Sequence, residues 1–187
     1  MRGEFLQAMQ KLVHANDALF VLDEVQTGGG TTGTPWAYQQ LGLEPDIVAF
    51  SKKIQVGGIM AGGRVDEVTD NVIAVSGRIN STWGGGLTDM VRSRRILEIV
   101  EREGLISAAG PKAERLVAAL HQLAAERPAL VTNVRGRGLM AAVDLPDRAT
   151  RNRVLTTLRD DEHVLVLGSG DRSVRFRPAL SVTDDEL

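Results

Sequence analysis

The 187-residue chain contains no cysteine. That excludes a disulfide framework and any thiolate metal site, and leaves a reducing cytosol permitted. It also lacks an excess of either charge: 22 Lys and Arg face 24 Asp and Glu, a net charge of −2 with both signs interspersed. No basic stripe proposes a nucleic acid as partner. No apolar stretch approaches the roughly 18 residues that a membrane-crossing helix needs. The opening segment "MRGEFLQAMQKLVHAND" breaks its hydrophobics with charges, unlike the apolar core of a signal peptide. Repeats and low-complexity tracts are absent as well. The expectation is a cytoplasmic protein with no nucleic-acid or membrane partner.

What the chain does have is apolar runs that stop abruptly at charge. Phe5, Leu6, Met9, Leu12 and Val13 recur at helical spacing, so residues 3–15 read as an amphipathic helix. Next, Ala18 to Leu22 form an unbroken apolar run, the pattern of a strand buried on both faces, and end on Asp23 and Glu24. A glycine-rich loop and the short helix of "PWAYQQLG" follow. A second run, Ile47 to Phe50, stops at Ser51, Lys52 and Lys53, and a third apolar stretch spans Gly57 to Ala61. Helix, strand, connection, strand is the rhythm of a parallel α/β sheet.

After "NSTWGGG" a long helical segment covers Leu87 to about Glu103, and helical periodicity restarts at Gly110 and Pro111. From Leu130 the texture changes to the short strands of "LVTNVRG", "GLMAAVDL", "VLVLG" and "SVRFRP", with a helical stretch near 147–160. That pattern is a small α+β unit, with the domain boundary set in the helix after Gly86. Both ends read as cut. Two or three parallel strands cannot cover both faces of a sheet alone, and Thr183 with Glu186 three residues on resembles a helix-opening cap.

A carboxylate at the end of a buried strand is costly unless something meets it. Asp23 has three explanations: a salt bridge or helix cap, the magnesium-binding strand of a nucleotide hydrolase, or a cofactor with a cationic nitrogen. The hydrolase reading needs a GxxxxGK[ST] loop, and "GGGTTGTPW" has no lysine. Lys52 favours the cofactor. A lysine at the end of a buried strand is poorly placed for solvation, and a lysine readily gives up its proton when buried and becomes a nucleophile toward carbonyls. An acid beside a pyridine nitrogen and a lysine beside an aldehyde are what pyridoxal phosphate requires.

"LDEVQTG", "PDIVAFSKK", "NSTWGGG" and "GRGLM" together resemble the class III, fold-type I pyridoxal-phosphate aminotransferases, over essentially the whole chain. The wording of "DIVAFSKKIQVGGIMAG" and "NSTWGGGLTDMVRSRRILEIVE" is most similar to the members that act on the side-chain amine of lysine. The resemblance implies a partial fold-type I architecture. Residues 1–86 would be the C-terminal part of the large cofactor-binding α/β domain, 87–104 a linking helix, and 105–187 a small, incomplete α+β domain.

By the same resemblance, Asp23 holds the cofactor's pyridinium nitrogen protonated, Val25 packs on one ring face and Gln26 bonds the phenolic oxygen. Lys52 forms the internal imine and then shuttles the proton. Thr82 binds the cofactor phosphate, reaching into the neighbouring subunit of a homodimer. Arg175 and Arg177 fall on one side of a strand; the family pattern selects Arg175 as the clamp for a substrate carboxylate. The implied reaction moves lysine's side-chain amino group to 2-oxoglutarate by a ping-pong route, with ornithine, acetylornithine and 4-aminobutyrate as the alternative donors. A nucleotide hydrolase and a non-catalytic dimerisation domain are the readings from other classes. The family's upstream phosphate loop and ring-stacking aromatic are not in this sequence, so no turnover is expected of this stretch alone.

The remaining features read as structural. His14, His121 and His163 are scattered without ligand spacing, so no metal site is expected. Trp36 and Trp83 read as packing residues, Arg135 and Arg137 as turn or ion-pair residues, and Arg92, Arg94 and Arg95 as a solvated helix face.

Overall fold

A computed structural model describes residues 2–82 and 84–187. Its contacts divide the chain into two compact units, residues 1–30 with 34–104, and residues 31–33 with 105–187. No helix among the described residues is long and apolar enough to cross a membrane.

The first unit opens with α1, Gly3–Ala15, as the periodicity predicts. Its Leu6 is buried with Phe20 and Leu43. A buried carboxylate fastens the end of this helix: Asp46 Oδ2 accepts the Phe20 N–H at 2.7 Å and lies 2.9 Å from His14 Nε2. Burial alone would raise the Asp46 pKa. The Phe20 and His14 hydrogen bonds, with the charges of His14 and Arg64, outweigh it and hold the carboxyl below its ordinary value.

Strands β1 (Val21–Asp23), β2 (Ile47–Phe50) and β3 (Gly58–Ala61) form one sheet in the order β1-β2-β3. β1 and β2 are parallel, whereas β3 runs antiparallel to β2, so the sheet is mixed. The strand expected over 18–22 is shorter and displaced, and it is not buried on both faces. Phe20 is buried, but Val21 and Asp23 are exposed. Among the described residues β1 has a neighbour on one side only, which leaves its outer edge and part of its side-chain surface open.

Helix α2 covers Leu87–Arg102. Its arginines pair with acids of the same helix: Arg92 with Asp89 at 2.6 Å, Arg94 and Arg95 with Glu98 at 2.9 and 3.2 Å. The basic run is a solvated face.

In the second unit α3 runs without interruption over Leu105–Glu126, so Gly110 and Pro111 lie inside a helix and do not begin one. A proline there removes one helical hydrogen bond. Burial on either side sustains the helix, since Ala109 and Ala113 pack into a cluster with Leu139 and Val182. The strands β4 (Thr132–Arg137), β5 (Met140–Asp144), β6 (Leu167–Ser169) and β7 (Ser173–Phe176) form an antiparallel sheet in the order β4-β5-β7-β6. α4, Arg148–Asp160, starts at Asp147, whose Oδ1 accepts the Thr150 N–H at 2.7 Å.

The main core collects Leu120 of α3, Ala141 and Val143 of β5 and Val174 of β7, with Val154 and Leu155 of α4 against them. At the β4–β5 turn Gly138 has φ +57°, and a side chain there would collide with Thr31 and Thr32. That close approach lets the Leu139 N–H reach the Thr31 carbonyl at 2.9 Å. Thr183 and Glu186 form both bonds of a capping box, Thr183 N–H to Glu186 Oε2 at 2.8 Å and Glu186 N–H to Thr183 Oγ1 at 3.2 Å.

Candidate active site

The parallel pair β1–β2 sets Asp23 opposite Ala49. Lys52 follows β2 after a single intervening residue, so Asp23 and Lys52 issue from the same end of two adjacent strands. In open α/β sheets, ligands bind beyond the strands' carboxyl ends.

Asp23 is not the desolvated acid that its position in the sequence suggested. It is exposed, and among the described residues its side chain makes one hydrogen bond, Oδ1 accepting the Val25 N–H at 2.9 Å. This turn fixes the carboxylate's orientation and holds Val25, half-buried, directly after it. Gln26 is exposed at the same strand end.

The buried acid is Glu24, only 4% exposed. Its carboxylate accepts the Ala37 N–H at 3.1 Å and the Tyr38 N–H at 2.8 Å, together with the Thr27 hydroxyl. It thereby caps the short 3-10 helix Ala37–Leu41. Sequence reasoning assigned Glu24 nothing. The signal available was "DE" at a strand end followed by a helix start at Trp36, and it does not say which acid turns inward.

Lys52 opens a single 3-10 turn, Lys52–Ile54, with φ +49°. A non-glycine residue in the left-handed region is uncommon, and such strain gathers at functional sites. Its carbonyl accepts both the backbone N–H and the side-chain amide of Gln55 at 2.9 Å, which closes the turn, while the Lys52 side chain is exposed. Gly29, at φ +78°, supplies the space beside this turn: a side chain there would press on Lys53 Cβ at 3.2 Å. Behind it Trp36 stacks at a tilt on Phe50, ring centroids 6.0 Å apart, a packing role.

α2 packs against the Lys52–Ile54 turn. Thr82 is exposed in the loop leading to α2, and among the described residues no side-chain hydrogen bond joins it to residues 23–26 or 52. Gly86 holds the N-cap position of α2 and has no side chain with which to cap it. Trp83 lies outside the described residues.

Arg175 belongs to the second unit. It is half-buried in the middle of β7, between Ala142 of β5 and Leu167 of β6. Arg135 is the ion-pair residue expected of "RGRG", with Asp144 as its partner at 2.8 Å.

The profile of the family described as "Aminotransferase class-III" matches residues 1–187. The chain belongs to the class III aminotransferases. It is 58% identical to the L-lysine-epsilon aminotransferase of Streptomyces clavuligerus over 187 residues, which is 100% of this chain and 41% of that protein. It is 34% identical to the mitochondrial 4-aminobutyrate aminotransferase of Sus scrofa over 183 residues, 97% of this chain and 35% of that one. The solved structure of the lysine aminotransferase from M. tuberculosis in the internal aldimine form superposes with a TM-score of 0.96 at 56% identity, covering 100% of this chain and 42% of that one. The chain thus spans about two fifths of the length of the lysine aminotransferases it matches. Family membership removes the nucleotide-hydrolase reading.

Class III aminotransferases depend on pyridoxal phosphate, and the donor set at the strand ends suits it. An oriented carboxylate can hold a proton on a ring nitrogen, and an exposed primary amine on the neighbouring strand can meet an aldehyde.

Proposed function

We propose that this chain forms part of an enzyme that transfers the side-chain amino group of L-lysine to 2-oxoglutarate, with Asp23, Val25, Gln26, Lys52 and Thr82 holding the cofactor and Arg175 the substrate. The observation that carries this reading is the placement of Asp23 and Lys52 on adjacent parallel strand ends, in a chain 58% identical to a lysine aminotransferase along its whole length. The 34% identity to a 4-aminobutyrate enzyme makes that donor the weaker assignment.

The cofactor, when bound, supplies an electron-withdrawing ring that stabilises negative charge on the substrate carbon bearing the amine. Asp23 keeps a proton on the ring nitrogen, with its carboxylate aimed by the Val25 N–H. Val25 covers one ring face and excludes water from it, and Gln26 donates to the phenolic oxygen. Lys52 Nζ is the amine that would hold the cofactor through its aldehyde. The same amine would take the proton from Cε of the lysine substrate and return one to the keto acid in the second half of the cycle. The strained backbone of Lys52 and its closed turn hold that amine at the strand end. The Thr82 hydroxyl donates to the cofactor phosphate across the interface of a cytoplasmic homodimer. Arg175 grips a substrate carboxylate with its two-pronged guanidinium.

The test is a pair of half-reactions on the full enzyme. Lysine should convert the aldehyde form of the cofactor to the amine form, and 2-oxoglutarate should restore it. Ornithine, acetylornithine and 4-aminobutyrate should convert it far more slowly. Conversion by 4-aminobutyrate at the lysine rate would overturn the donor assignment.

A further inference from the structure

Arg135, Ala142 and Arg175 form one row across the small sheet. Arg135 is the register partner of Ala142, and Ala142 that of Arg175. Strands in a sheet lie about 4.8 Å apart, so the two arginine backbones are about 10 Å from each other with one methyl group between them. Their strand neighbours Val134, Val174 and Phe176 pack with the core. Alternation therefore turns both arginines to the opposite face.

Arg135 nevertheless does not extend along that row. Its guanidinium turns to the next one, where Asp144 and Ser173 are register partners. Nη1 donates to Asp144 Oδ1 at 2.8 Å and to the Asn133 carbonyl at 2.8 Å, and Nη2 donates to Ser173 Oγ at 2.9 Å. Asp144 is fixed in turn by the Ser173 hydroxyl at 2.6 Å and by Asn133 Nδ2 at 2.8 Å. Asn133 reaches it from a left-handed backbone, φ +49°, at the irregularity between Thr132 and Arg135. Asp144 is buried, so the sheet carries a desolvated carboxylate and a bulge whose combined result is one neutralised arginine.

We propose that Asp144 is a specificity-determining residue: by pairing with Arg135 it withholds a second positive charge from the row that Arg175 occupies. This inference rests on Arg175 being the carboxylate clamp. A single guanidinium grips one carboxylate in a fixed geometry. A second cation about 10 Å away would attract dicarboxylates without orienting them, and would hold them after reaction. Asp144 sets the charge that the carboxylate meets, and it does so without touching the substrate.

The experiment is calorimetric titration of glutarate, an unreactive dicarboxylate, into the cofactor-loaded full-length enzyme. Asp144→Asn keeps the shape and exposes the Arg135 charge, so glutarate should bind about two- to tenfold tighter, the effect of a unit charge at about 10 Å. Arg135→Met leaves Asp144 unpaired and should weaken binding by a similar factor. The double variant restores neutrality and should return to the parent affinity. A merely structural role for Asp144 would give no gain in affinity.

Unchanged or weaker binding by folded Asp144→Asn overturns the proposal. So does a double variant that binds far more weakly than the parent, because Arg135 would then be a direct ligand. If Asp144→Asn fails to fold, Asp144→Ser makes the same charge change and takes its place, with the same gain in affinity expected. Arg175→Ala separates the two claims: parent-like glutarate binding in that variant would remove the clamp itself, whatever the charge cycle shows.

Discussion

Lys52 stands three residues beyond Ala49, the register partner of Asp23 across the parallel pair β1–β2. Parallel pairing is what matters here, because an antiparallel neighbour would carry its lysine to the opposite end of the sheet. β3 is such a neighbour, and no residue assigned to the site comes from it.

Asp23→Asn in the full enzyme should lower the turnover number about 10²–10⁴-fold, the contribution typical of a positioned acid or base. The fold should be unaffected, because Asp23 is exposed and the asparagine oxygen can still accept the Val25 N–H. Exposed substitutions commonly change stability by no more than about 0.5 kcal/mol. Steady-state kinetics beside a urea titration check both halves of the claim. Near-normal turnover would contradict the role given to Asp23.

Glu24→Gln should show the reverse pattern. Glu24 is buried and caps Ala37–Leu41 with accepted N–H bonds, so loss of its charge should destabilise the protein by about 1–3 kcal/mol. The urea midpoint should fall while the cofactor still binds.

Arg175→Ala should weaken a carboxylate substrate about tenfold to a hundredfold, from the loss of one or two charged hydrogen bonds. The Michaelis constant for 2-oxoglutarate is the readout. If Arg177→Ala produces this change and Arg175→Ala does not, the clamp is the other arginine.

Acid should unfold the protein through its two buried aspartates. Burial alone would raise the pKa of Asp144, yet the bonds from Ser173, Asn133 and Arg135 and the Arg135 charge hold it at about 2, against 3.8 for the free carboxyl. A depressed folded-state value means that this stabilisation is complete above pH 4 and is lost as the pH falls through about 2. Asp46 shifts in the same direction. Urea midpoints measured from pH 5 to pH 2 should decline. Asp144→Asn should flatten that decline by on the order of 1–2 kcal/mol after allowance for solvent screening.

Much of the architecture was legible because side-chain periodicity reports burial. The spacing of Phe5, Leu6, Met9, Leu12 and Val13 yields α1 with its observed limits, and the run Ile47–Phe50 yields β2. Three of the four short strands and the helix near 147–160 of the second unit followed in the same way, but the run Val164–Gly168 is strand only from Leu167 on. Periodicity carries no direction, so it could not tell that β3 turns back along β2. Nor could it see that Ala109 and Ala113 would bury on both sides of Pro111 and carry α3 through it.

The acids were hidden for another reason. Which of Asp23 and Glu24 turns inward depends on N–H groups that return at Ala37 and Tyr38. Likewise Asp46 is met by Phe20 and His14, and Asp144 by residues of β4 and β7. Those partners are distant in sequence, and no local pattern announces them.

The proposed function requires Lys52 to carry the cofactor. Borohydride reduction of the full enzyme, followed by peptide mass mapping, tests this most directly. The pyridoxyl group should be found on Lys52, the exposed lysine that opens the strained turn after β2. A pyridoxyl group on Lys53, or on any other lysine, would contradict it.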